Sequence, residues 1–113
     1  MKKEDSVYLK HALEEILKIE RTLEGKSETD FKADVDIQDA VIRRIEIIGE
    51  AVKNVSRELK DKNPEIEWKK IAGTRDVLIH SYFSVDLDLL WGITKKNLPE
   101  LKDKIKKLLK SSK

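Results

Sequence analysis

The chain has 113 residues, a formal net charge of +2 and no cysteine. That length fits one domain spanning 1–113, the lack of cysteine excludes disulfide and thiol chemistry, and the charge is too small to announce nucleic-acid binding. Charged residues reach 41% against about 25% in an average domain, and aromatics only 5%, which predicts solvated helices around an aliphatic core. Dense surface ion pairs would also suit a hot environment. No apolar run approaches the ~20 residues that cross a bilayer. The opening Met1-Lys2-Lys3-Glu4-Asp5-Ser6 lacks a signal-peptide core. The expectation is a soluble, cytoplasmic protein with no membrane association.

A first helix is predicted from a cap at Asp5 or Ser6. Leu9, Leu13, Ile16, Ile19, Glu20 and Leu23 recur at three- and four-residue steps, which makes one face largely apolar. Gly25 stands where such a helix stops. Ser27-Glu28-Thr29-Asp30-Phe31 has the form of a capped short turn or helix that tucks Phe31 inward.

From Asp36 as cap, Ile37, Val41, Ile45, Ile48, Val52, Val55 and Leu59 step by fours and threes. This rhythm predicts a long helix packed lengthwise on others. Ala40, Gly49 and Ala51 permit close contact, and Gly49 costs about 1 kcal/mol of helix propensity against alanine, which calls for a packing reason. Asn63-Pro64 ends the run.

Glu65 to Tyr82 reads as a third helical region, bent near Gly73, with Trp68, Ile71, Ala72, Leu78 and Ile79 as its apolar side. Ser84 or Asp86 caps a fourth helix bearing Leu87, Leu90, Trp91 and Thr94. Pro99 opens a last segment with Leu101, Ile105, Leu108 and Leu109. Lysines crowd its end, where cations favour the helix dipole. No strand signal or repeat is visible. The predicted fold is all-α, an antiparallel bundle of four to five helices.

The chemistry concentrates in Gly73-Thr74-Arg75-Asp76-Val77-Leu78-Ile79-His80-Ser81-Tyr82. With residues 74–83 helical, Asp76 and His80 stand one turn apart and Arg75 and Tyr82 flank them. His80 can exchange protons near neutral pH. Arg75 offers a permanently charged fork to phosphate, and Asp76 can orient the imidazole. These groups suffice to cleave a phosphodiester beside a 2′-hydroxyl. The hydroxyl loses its proton, attacks phosphorus, and the crowded oxyanion takes cationic support. No metal or other cofactor is needed, and the chain lacks metal-site spacing of histidines or carboxylates. Spacing alone leaves another reading open: Arg75 and Asp76 as surface ions, His80 bonded to a backbone carbonyl, Tyr82 at the core edge. His11 has no evident partner and reads as exposed. Trp68 and Trp91 read as core or dimer-contact residues, and Glu50 as a surface acid or a group facing Arg75.

Arg75-x4-His80-x-Tyr82 resembles the Arg-x4-His-x-Tyr signature of HepT-like proteins, a branch of the HEPN superfamily. Ile47-Ile48-Gly49-Glu50-Ala51 is similar to the family's Ile-Gly-Glu-Ala segment. Trp68-Lys69-Lys70-Ile71-Ala72-Gly73-Thr74-Arg75 is similar to its Trp-x-x-Ile-x-Gly-x-Arg run. Val85-Asp86, Trp91 and Leu98-Pro99-Glu100-Leu101 resemble its closing region. The resemblance covers nearly the whole chain. It implies a HEPN-like homodimer acting as a metal-independent endoribonuclease on RNA, the toxin of a type VII toxin–antitoxin pair. Carried over, His80 is the acid/base group and Arg75 the phosphate and transition-state stabiliser. Asp76 stands where asparagine is commoner; it can still orient His80, but it adds negative charge near an RNA phosphate. Tyr82 matches the tyrosine that the partner, a minimal nucleotidyltransferase antitoxin, modifies with AMP. The alternative is a non-catalytic binding module that complexes a nucleotidyltransferase or binds a nucleotide.

Overall fold

The structure, a computed structural model, describes residues 1–74, 76, 79–81 and 84–111, and of 79–81 and 84 the backbone alone. The expected all-α class holds. Helix α1 runs Lys3–Leu23 and buries Leu9, Ala12, Ile16, Ile19 and Leu23. Each buried leucine or isoleucine side chain among these contributes roughly 1.5–3 kcal/mol before entropy is counted. The cap expected at Asp5 or Ser6 is corrected: Lys2 takes that position without a side-chain bond. Asp5 is instead only 2% exposed and turned toward a distant part of the chain. Gly25, at φ 75°, turns the chain out of α1 in the left-handed region that glycine enters without steric cost.

Helix α2, Glu28–Lys32, carries the expected capping box, with Asp30 N–H donating to Ser27 Oγ and Ser27 N–H donating to Asp30 Oδ2. Phe31 is fully buried and meets the Trp91 ring at 5.4 Å between centroids, tilted by 40°. Buried Gln38 donates through Nε2 to the Phe31 and Lys32 carbonyls at 2.9 and 3.0 Å. The last carbonyls of α2, which a helix end leaves without intrahelical partners, are thereby satisfied.

Helix α3 is Val35–Lys53. Val41, Ile45, Ile48 and Val52 form its core stripe as expected, and Val55 and Leu59 are buried beyond it. Two boundaries differ from the expectation. The cap is Asp34, whose Oδ1 accepts from Ile37 N–H at 3.1 Å, rather than Asp36. The helix also stops at Lys53, and a separate α4, Arg57–Lys62, begins after Ser56. The break has a physical cause. Ser56 donates its N–H and Oγ–H to Asp5 at 2.8 and 2.6 Å, so α1 takes the amide that a continuing helix would use internally. Glu15 meets Arg44 Nη1 at 3.2 Å. The pairs Asp5–Ser56 and Glu15–Arg44 run in opposite sense along the chain, so α1 and α3 are antiparallel.

Helix α5 is short, Trp68–Ala72. Two short strands follow, β1 Ile79–Ser81 and β2 Ser84–Val85, paired antiparallel with Ile79 opposite Val85 and Ser81 opposite Ser84. Asp86 caps α6, Leu87–Gly92, accepting from Leu89 N–H at 3.0 Å. The chain then makes a π-helical turn, Ile93–Asn97, and continues directly into α7, Leu98–Ser111. The last helix begins beside Pro99, as expected, at Leu98. Leu98 N–H reaches back to the Ile93 carbonyl, the five-residue step of a π turn, so this helix follows the preceding turn without a break. Proline brings no N–H, and the wider turn before it makes room for its ring. Lys102 ties α7 to Glu20 of α1 at 2.9 Å. Among the described residues, no helix is long and apolar enough to cross a membrane.

Candidate functional site

Helix α5 delivers the chain to the Arg75 stretch, and it is pinned at both ends. At its start Trp68 is 8% exposed and donates through Nε1 to the Asn63 carbonyl at 3.0 Å, with Ile66 buried beside it. At its end Gly49 of α3 lies against the Ala72 and Ile71 carbonyls. This is the packing reason that a glycine inside a long helix called for. Beyond Ala72 the chain keeps helical bonding: Gly73 N–H donates to the Lys69 carbonyl at 3.0 Å, Thr74 Oγ1 to the Lys70 carbonyl at 2.8 Å, and Asp76 N–H to the Gly73 carbonyl at 3.1 Å.

The expected helix over 74–83 does not continue through His80. The backbone of Ile79–Ser81 is extended and laddered to Ser84–Val85. Asp76 and His80 therefore do not stand one turn apart on a helix. The sequence Val77-Leu78-Ile79, followed by Tyr82-Phe83 and Val85, is rich in the branched and aromatic residues that favour strands. Short apolar runs of this kind read equally as helix or strand. Asp76 is exposed. Arg75 and Tyr82 lie outside the described residues, and His80 is described only as backbone, in β1.

His11 is exposed on α1, as expected, and Glu50 is exposed on α3. Trp68 is a core residue; Trp91 is half-buried between the Phe31 ring and Lys95, whose ammonium sits 4.6 Å from its ring centroid. Among the described residues, no group of three or more histidines, aspartates or glutamates gathers as a metal site.

A groove of about 170 Å³ adjoins the end of α5. Its floor is aliphatic, from Ile48 of α3, Ile71 of α5, Leu89 of α6 and Leu101 of α7. Its rim carries Lys70, Thr74, Asn97 and Lys104, together with Glu67 and Glu100. No sequence spacing links these residues. They come from separate elements, so the groove was not visible in the sequence.

A family model described as ribonuclease HepT-like matches residues 12–108, a span that includes Arg75, Asp76, His80 and Tyr82. The chain belongs to the ribonuclease HepT-like family. It is 44% identical over 110 residues to a Thermococcus cleftensis protein named "Probable ribonuclease HepT", covering 97% of this chain and 100% of that one. It is 42% identical over 106 residues to a "Putative RNase" of Caldanaerobacter subterraneus subsp. tengcongensis, covering 94% and 95%. A Methanocaldococcus jannaschii protein named "Gamma-glutamylcyclotransferase and putative RNase" is 50% identical over 109 residues, 96% of this chain but 49% of that protein. The chain thus spans about half of this last relative and nearly all of the other two. No solved structure matches the chain significantly. With HepT-like membership established, Gly49 and Trp68 acquire a local meaning: they hold the helix that leads into the stretch Arg75-x4-His80-x-Tyr82.

Proposed function

We propose that this HepT-like chain is a metal-independent endoribonuclease, active as a homodimer, and the toxin of a toxin–antitoxin pair. The observation that carries the reading is the family match over residues 12–108, a span that contains Arg75, His80 and Tyr82 in an Arg-x4-His-x-Tyr arrangement that resembles the family signature. His80 takes the proton from the ribose 2′-hydroxyl and returns one to the leaving 5′-oxygen. Arg75 neutralises charge on the crowded phosphorane. Asp76, close in sequence to His80, is assigned to orienting the imidazole. Two copies bring two such sets to one cleft. A nucleotidyltransferase partner attaches AMP to Tyr82, placing a bulky anion where an RNA phosphate would lie, which blocks the cleft by charge and by size.

Purified protein is expected to cut single-stranded RNA in EDTA and to sediment as a dimer. A metal requirement, or a monomer at every concentration, would contradict the mechanism. Co-expression with the nucleotidyltransferase is expected to add one AMP mass, absent in Tyr82→Phe.

One observation favours a second reading, a non-catalytic module that binds a nucleotidyltransferase or a nucleotide. Asp76 is exposed and adjacent in the chain to Arg75, so it opposes the approach of an anionic backbone. A stable complex with the partner, together with no cleavage by the free dimer, would select this reading.

A further inference from the structure

We propose that the groove between α3, α5 and the α6–α7 rod is a nucleobase subsite that sets which RNA sequence the protein cuts. The inference rests on the ribonuclease reading and goes beyond it by assigning a specificity site. Thr74, on the groove's rim, is covalently joined to Arg75, and successive Cα atoms are about 3.8 Å apart. A base seated here belongs to a nucleotide close to the phosphate that Arg75 holds.

Size selects the occupant. The groove measures about 170 Å³, and an aliphatic cavity of about 150 Å³ accommodates a benzene ring. That is room for one flat ring system, and it falls below the roughly 300–1,000 Å³ of sites for drug-sized ligands. A partner helix needs three or four anchor pockets in a row, which a cavity of this size does not provide.

Charge selects it again. A track for the phosphate backbone would be uniformly basic. This rim mixes Lys70 and Lys104 with Glu67 and Glu100, Lys70 pairing with Glu67 at 3.7 Å, and Asn97 adds an exposed amide. Donors and acceptors side by side suit the polar edge of a base, while the aliphatic floor takes its face. Asn97 offers both a donor and an acceptor. Lys104 already donates to the Glu65 carbonyl at 3.3 Å, so it is held at the rim.

The test scans a single abasic ribose through a single-stranded RNA that the wild-type protein cuts. At one position beside the cut, removing the base is expected to lower kcat/KM about tenfold or more, the scale of losing one bound base. Leu89→Phe, which fills the floor, is expected to lower cleavage of intact RNA by a similar factor and to show no further loss with the abasic substrate. Asn97→Ala alters an exposed side chain and so spares the fold; it is expected to change which base is preferred. An abasic penalty that is the same in wild type and both variants would overturn the subsite, as would a wild type indifferent to the abasic position. A wild type that neither cuts RNA nor, as His80→Ala, binds it would instead overturn the ribonuclease reading.

Discussion

A Cβ placed on Gly49 of α3 would stand 3.1 Å from the Ala72 carbonyl oxygen and 3.4 Å from that of Ile71. The absence of a side chain at one position of α3 therefore sets how closely the end of α5 can approach. The neighbours are backbone carbonyls, which cannot swing aside as a side chain would.

Two opposed effects decide the outcome of Gly49→Ala. Alanine gains about 1 kcal/mol of helix propensity. Overpacking against backbone costs about 1–3 kcal/mol. A net loss is expected, read as a melting temperature lower by a few degrees, with a larger loss for Gly49→Leu. A melting temperature raised by Gly49→Ala would show that propensity alone governs the site.

Asp5 and Ser56 form the link that ends α3. Asp5→Ala removes two charge-assisted hydrogen bonds and leaves the Ser56 amide without its acceptor. A loss of about 2–4 kcal/mol is expected, measured by urea unfolding. A change within a few tenths of a kcal/mol would mean that α4 holds its place without this contact.

The pH response of α2 has a definite sign at each end of the range. The Ser27 backbone N–H, and after it the Ser27 hydroxyl, hold the Asp30 carboxyl below its ordinary 3.8. Its contribution to stability is present above that value and is lost as pH falls through the lower folded value. Lys32 is raised above 10.5 by Asp88 first and Glu28 second. Its contribution is present below 10.5 and is lost as pH rises through the folded value. In NMR titrations Ser27→Ala is expected to return Asp30 only part of the way, because the backbone donor remains. Asp88→Asn is expected to lower the Lys32 midpoint more than Glu28→Gln does. The reverse order for Lys32 would contradict the Lys32–Asp88 bridge between α2 and α6.

The core was legible in the sequence wherever periodicity acts on one helix. The stripes of α1 and α3, the Ser27 box and the Asp86 cap need only local rules. The break after Lys53 was not legible, because it depends on Asp5, far away in the chain. The strand at Ile79 was not, because a branched apolar run carries no period of its own. The start of the last helix beside Pro99 was legible; the π turn that joins it to α6 was not, because such a turn leaves no mark in residue spacing. At the candidate site, residue identities and family order could be read directly, and Gly49 announced a close contact without naming its partner. The groove beside Thr74 gathers residues from α3, α5, the π turn and α7, a convergence that only the folded chain displays.

Single-turnover cleavage of one defined RNA, in EDTA, by wild-type and His80→Ala proteins of equal thermal stability bears most directly on the proposed chemistry. Loss of a general acid–base group is expected to slow the chemical step by roughly 10²–10⁴-fold, with RNA affinity nearly unchanged. Cleavage by His80→Ala at the wild-type rate would contradict the account, since no imidazole at position 80 would then be needed to move the proton.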